Sequence, residues 1–204
     1  MQEGHVETPE QLAALCEQIR SSRWLAVDTE FMREKSYYPQ LCLLQLCNGE
    51  VAVSVDPLVL DDLTPLLDIL YDPNIEKVFH AAGQDLEIFN HLWRRPPSPV
   101  FDTQLAATLL GLGEQLGYGK LVKQLLGKDL EEDHTRADWS LRPLAPEFLR
   151  YALDDVIYLG RIYLDMRGRL SDRERLQWLA ADFANLADPA TYVQDPDTAW
   201  RRIK

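Results

Sequence analysis

The sequence has 204 residues, enough for one sizeable core, and its 46 % hydrophobic and 26 % charged residues are the balance of an ordinary globular protein. No stretch reaches the apolar length of a membrane-spanning helix, the start MQEGHVETPEQ has neither the basic nor the apolar region of a secretory leader, and Cys16, Cys42 and Cys47 form no C-x-x-C pair, so the chain reads as a cytoplasmic protein with reduced thiols. The formal net charge of −12 argues against a general electrostatic affinity for nucleic acid, although an enzyme that gathers carboxylates around bound cations would carry the same sign, and net charge does not fix distribution.

Thr8 is placed to cap a helix that starts at Pro9 and carries Leu12, Leu15 and Ile19 at helical spacing. WLAVDTEF, residues 24–31, reads as a buried strand. LCLLQLC (41–47) and EVAVSVD (50–56) flank Asn48-Gly49, a pair suited to a type I′ hairpin turn, in which both central residues have positive φ. These three strands are expected to form an antiparallel meander. A helical stretch over 61–70 comes next, then the short strand KVFHAAG, the helix QDLEIFNHLW and the short strand PVFDT. Such alternation implies parallel strands joined by crossovers. From Thr103 onward the pattern is helical, with a long helix from Pro146 to about Gly168 and another over roughly 172–187. The expected architecture is one α/β domain, a mixed β-sheet flanked by helices on both faces, with a helical C-terminal part. The tail DPATYVQDPDTAWRRIK, rich in Pro and Asp, reads as a linker with the start of another helix.

Three acidic motifs stand out. In Asp28-Thr29-Glu30, strand alternation puts Asp28 and Glu30 on one face with Ala26, and Val27 and Thr29 on the other. Two carboxylates at the end of a buried strand repel one another and lose hydration unless a cation lies between them, and hard divalent cations prefer oxygen ligands. A strand that simply emerges into solvent is the other reading. Asp85 falls in the first turn of a helix, where the dipole favours an acid with no further role, yet it shares a face with Ile88, Phe89 and Leu92. In the helix containing YALDDVIYL, Arg150, Asp154, Arg161 and Asp165 form a solvated stripe of alternating charge. Phe148, Tyr151, Ala152, Tyr158, Leu159 and Ile162 form the apolar stripe. Asp155 lies within that apolar stripe, one turn after Tyr151, where an unpaired carboxylate is costly. The four carboxylates come from three elements and suffice for two divalent ions. Two such ions about 3.5–4 Å apart clamp the attacking and leaving oxygens of a phosphodiester displacement.

With Asp28-Thr29-Glu30, Asp85 and Asp155 in this order, the chain resembles the DEDD superfamily of 3′→5′ exonucleases, which have the ribonuclease H-like fold. Tyr151 precedes Asp155 by four residues and position 150 is Arg, so the likeness is to the tyrosine subclass and not to the subclass with a histidine five residues before the last aspartate. The stretches VDTEFMRE, SYYPQLCLLQL, VFHAAGQDLEIF, FDTQLAATLLG and DWSLRPL…YALDDVIYL are similar in order and spacing to the ribonuclease D family, over roughly residues 10–200. The resemblance implies an exonuclease domain over residues 1–190, with 191–204 a linker or the start of a helical nucleic-acid-binding (HRDC) domain of the kind that follows in that family.

The same resemblance implies that Asp28 bridges two divalent ions, Mg²⁺ or Mn²⁺. Glu30 and Asp155 would complete the site of the attacking water, and Asp85 would serve the second ion near the leaving 3′-oxygen. Tyr151 would orient the water, since a phenol with an ordinary pKa of about 10 suits that role better than general base. The implied substrate is RNA with a 3′ end, tRNA precursors in particular, and the products are nucleoside 5′-monophosphates. A DNA exonuclease of the same chemistry and a non-catalytic RNA-binding module are the alternatives. The first turns on contacts to a 2′-OH, which no residue here identifies; the second should have lost a carboxylate.

For substrate contacts, Phe31 is placed to stack on a terminal base or to pack in the core. Lys120, Lys123, Lys128, Arg136 and Arg142 offer either a basic rim for phosphates or a solvated face. His80 reads as structural, and Tyr37, Tyr38 and Trp139 as packing or RNA-touching aromatics.

Overall fold

The structure, a computed structural model, describes residues 1–33, 37–130 and 137–193. Arg136 and the tail beyond Val193, both singled out above, lie outside them. The chain runs β1 (Gln2–Val6), α1 (Pro9–Ile19), β2 (Trp24–Met32), β3 (Gln40–Cys47), β4 (Val51–Val55), α2 (Thr64–Leu70), β5 (Glu76–Phe79), α3 (Gly83–Trp93), β6 (Val100–Asp102), α4 (Thr103–Leu109), α5 (Tyr118–Leu126), α6 (Pro146–Asp172) and α7 (Ala180–Leu186). The strands form one mixed sheet in the order β1-β4-β3-β2-β5-β6. β2, β3 and β4 are the antiparallel meander, and β5 and β6 add to it in parallel.

Strand alternation sends side chains to two cores. Leu25, Val27, Leu44 and Leu46 pack against α1, α2 and α3 on one face. Ala26, Cys47, Ala52 and Val78 face α4, α5 and α6 on the other. Thr8 caps α1 as expected, its hydroxyl accepting from Gln11 N while the Gln11 side chain accepts from Thr8 N.

Four local expectations change. β1 reads poorly from sequence because QEGHV is short and mostly polar, yet it lies parallel to β4 at the sheet edge. The hairpin at Asn48-Gly49 forms, but not as a type I′ turn: Gly49 has φ +92° while Asn48 is not left-handed. The Asn48 side chain instead accepts from the N–H groups of Glu50 and Val51. The stretch 172–187 is not one helix, because Glu174 takes φ +55° and ends α6, leaving a 3₁₀ turn (Leu176–Leu179) and α7. Part of the expected linker is folded: Pro189–Tyr192 is a 3₁₀ turn, and Tyr192 packs on the first core.

How closely α6 approaches the sheet is set by small residues. Ala26 and Ala52 are fully buried on the face that α6 covers. On the helix, a Cβ added to Gly160 would lie 2.8 Å from Trp24 Cη2 and 2.9 Å from Cζ3. The Trp24 ring is itself packed, 5.2 Å from the Tyr163 ring, and cannot swing away freely. Gly160→Ala is therefore expected to destabilise the protein by about 1–3 kcal/mol, the usual range for overpacking, measured by urea unfolding. Equal stability would show that this contact does not hold the helix in place.

Candidate active site

β2 pairs with β5 only over Trp24–Ala26, while its pairing with β3 continues to Met32. The second half of β2 thus runs beyond its parallel neighbour and borders a notch at the C-terminal ends of the parallel strands, the usual position of a site in such sheets. Asp28 and Glu30 lie there on the face covered by α6. Asp155, buried on α6, comes down onto them, and the carboxylates of Asp28, Glu30 and Asp155 offer oxygens within 4.8 Å of one another.

Asp85 arrives from the other layer. Thr29, which alternation turns away from Asp28, donates its hydroxyl to Asp85 Oδ1 at 2.5 Å. The turn leading into α3 is strained at Ala81, with φ +54°. It is held by buried Asp102, whose carboxylate accepts from Ala81 N (3.3 Å) and Ala82 N (2.8 Å) and also caps α4 through Gln104 N and Leu105 N. The two strand-to-helix turns are therefore locked by one carboxylate.

Two phenols flank Asp155. Tyr151 hydrogen-bonds its carboxylate, and Tyr118 donates to its backbone oxygen. A cavity of about 400 Å³ opens over the group, lined among others by Phe31, His80, Tyr118 and Tyr151; among the described residues no lysine or arginine lines it.

The electrostatics follow from this arrangement. Burial, and then the Asp155 charge, pushes Asp28 up to about 8. Burial and the neighbouring carboxylates push Glu30 up to about 10. Burial and Asp28 raise Asp85 to about 8 against the pull of the Thr29 hydrogen bond. Burial raises Asp155 to about 7, opposed by the bond from Tyr151. All four resist ionisation chiefly because they are buried, and three of them because they also face one another's charge. An all-oxygen donor set of this density fits a hard divalent cation.

The structure brings Asp28, Glu30, Asp85, Tyr151, Asp155 and Phe31 to one cavity. It does not bring Arg142 there. The Arg142 guanidinium is spent on Asp56 Oδ2 (2.5 Å) and Oδ1 (2.9 Å) and on the carbonyls of Trp139, Leu141 and Cys42. All five donors are used, so Arg142 pins its loop to β3 and to the end of β4 and has none left for a phosphate. Lys120 is exposed on α5 and borders a separate depression with Lys123 and Asp129. Trp139 is buried, and Leu92, expected on the packed face of α3, is exposed. His80 lines the cavity while its Nδ1 meets Thr103 Oγ1 at 3.0 Å, and burial lowers its pKa. Tyr38 stacks on His91 with ring centroids 3.8 Å apart, away from the cavity. Thr29, Asp102 and Tyr118 are the residues of the site that the sequence reading left without a role.

A sequence model of the 3′-5′ exonuclease family matches residues 4–171. Ribonuclease D of Acidiphilium cryptum (strain JF-5) is 45 % identical over 200 residues, 98 % of this chain and 51 % of that protein. Ribonuclease D of Pseudomonas paraeruginosa is 44 % identical over 193 residues, 95 % of this chain and 51 % of that one. The chain thus spans about half the length of these curated relatives. Among solved structures, Escherichia coli RNase D, described as an exoribonuclease involved in structured RNA processing, superposes with a TM-score of 0.91 at 36 % identity, covering 100 % of this chain and 54 % of that chain. The catalytic core of RRP6 from Trypanosoma brucei superposes with a TM-score of 0.84 at 25 % identity, covering 98 % and 56 %.

The raised carboxyl pKa values predict how stability depends on pH. Without divalent ions the folded protein keeps protons that the unfolded chain releases near its ordinary carboxylate values. Their contribution to stability is therefore fully present below about pH 4, the ordinary carboxylate range, and is lost as pH rises from there through about 7 to 10. Saturating Mn²⁺ should raise Tm more at about pH 8 than at about pH 6. A Mn²⁺ shift independent of pH, read by thermal unfolding beside EDTA controls, would contradict the crowding.

Proposed function

The chain belongs to the 3′-5′ exonuclease family, and from that premise we propose that it is an exoribonuclease of the ribonuclease D type, removing nucleotides one at a time from an RNA 3′ end as nucleoside 5′-monophosphates. The observation that carries this reading is the meeting of Asp28, Glu30 and Asp155 within 4.8 Å, with Asp85 tied beside them by Thr29. RNA as the polymer is supported by the ribonuclease D relatives. Precursors of tRNA are the proposed natural substrates and the cytoplasm the proposed location. No helix among the described residues is long and apolar enough to cross a membrane.

Asp28, Glu30 and Asp155 would hold one divalent ion, Mg²⁺ or Mn²⁺, and Asp28 with Asp85 a second. Such ions, when bound, make a water acidic enough to attack at neutral pH and stabilise charge on the scissile phosphate. Tyr151 contributes a hydroxyl donor beside Asp155. Burial and the Asp155 charge hold its pKa far above the ordinary phenol value, so it stays protonated and orients the nucleophile rather than abstracting its proton. Phe31 presents a partly exposed ring to the cavity, suited to stacking on the terminal base. Lys120, exposed outside the cavity, is a candidate for contacting upstream phosphates.

A 5′-labelled RNA with a single-stranded 3′ tail tests the proposal. With Mg²⁺ or Mn²⁺ the chain should produce a ladder shortening from the 3′ end, and EDTA should abolish it. Asp155→Asn should slow it by at least roughly 100-fold, since even outer-shell partners of metal ligands cost 10–100-fold. Asp154→Asn, whose carboxylate pairs with Arg150, should stay within about twofold, as expected of an exposed pair. Equal losses in the two variants would remove the assignment of Asp155, and a matched DNA degraded as fast as the RNA would remove the choice of polymer.

A further inference from the structure

A row of polar side chains crosses the sheet on the face that α6 covers. His5 of β1 stands opposite Ser54 of β4, Ser54 opposite Gln45 of β3, and Gln45 opposite Asp28 of β2. The outer pair is bonded, with His5 Nδ1 and Ser54 Oγ 2.8 Å apart. Gln45 is different. It is fully buried, and among the described residues neither its amide nitrogen nor its amide oxygen has a hydrogen-bond partner. A glutamine that carries the desolvation penalty of both groups in a central strand calls for an explanation, because an apolar side chain of the same size would fill the space without that penalty. The neighbouring position on the same face shows the apolar solution: Leu43 stands opposite Glu30. Only the carboxylate expected to bridge two ions faces an amide.

We propose that Gln45 is the positioning residue of Asp28, its amide N–H₂ donating across the β2–β3 pair to the Asp28 carboxylate in the ion-loaded protein. Directly opposed side chains on antiparallel strands have Cβ atoms about 4.5–5.5 Å apart, within reach of a glutamine amide. The amide oxygen is left toward the Ser54 hydroxyl, the next group in the row. A donor in this place holds one carboxylate oxygen and fixes the direction of the other, as outer-shell hydrogen bonds do for metal ligands generally. The inference rests on the divalent-ion reading given under Proposed function.

Gln45→Met keeps the volume and removes the amide. Two readouts are taken together, thermal unfolding in EDTA and Mn²⁺ binding by titration calorimetry, with Gln45→Leu as a second variant. The variants should unfold in EDTA at or above the parent temperature, since the unsatisfied groups are gone, while the Mn²⁺ dissociation constant rises about 10-fold or more. Unchanged Mn²⁺ affinity in folded variants would overturn the proposal. So would loss of folding in both, which would make Gln45 a structural residue. A parent chain that binds no Mn²⁺ would instead remove the ion reading itself, an outcome distinct from either.

Discussion

The site depends on one electrostatic constraint: four carboxylates are held together, largely out of water, with no cationic side chain among the described residues that line their cavity. Coulomb repulsion and lost hydration both oppose this arrangement. The protein therefore has to impose it through backbone and packing. Asp28 and Glu30 share a face because a single residue, Thr29, separates them on a strand, and that face is roofed by α6. Asp155 is brought down by a helix that lies close because Gly160 meets the Trp24 ring without a side chain of its own. Asp85 is brought from the opposite layer and fastened by Thr29.

The supports are themselves polar and buried, and each is satisfied by several partners. Asp102 accepts from four backbone N–H groups and so ties the turn before α3 to the start of α4. Asp56 and Arg142 join the end of β4 to the loop before α6 through two short contacts, and the guanidinium also takes three carbonyls. Removing one partner of such a pair leaves the other buried and unpaired, which costs far more than the pair contributes as a unit. The acidic chain as a whole, at −12, is less puzzling in this light. Its most consequential acids are the ones arranged to attract cations, and bound cations would supply the positive charge that a polyanion meets at the site.

What the sequence discloses follows from how local each signal is. Asp155 is legible because a carboxylate within the apolar stripe of a helix is anomalous, whereas Asp154 beside it belongs to a charged stripe. Asp28 and Glu30 are legible from strand parity. Parity also shows that Thr29 faces the other layer, but what it meets there is 56 residues away. Tyr118 reaches Asp155 across 37 residues, and Arg142 reaches Asp56 across 86. No local pattern announces such pairings, and an arginine near a functional motif reads as a phosphate ligand until its acid is found. The hairpin was legible from Asn48-Gly49 although the turn type was not, because Asn48 bonds the backbone through its side chain rather than by adopting positive φ. β1 was not legible because it is short and has little apolar side chain to declare itself.

The most direct test of the carboxylate centre is to grow crystals with Mn²⁺ and locate the ions by anomalous scattering. Two peaks about 3.5–4 Å apart, bridged by Asp28 and reached by Glu30, Asp85 and Asp155, are the expected result. Crystals saturated with Mn²⁺ that show no peak among these four side chains would contradict it.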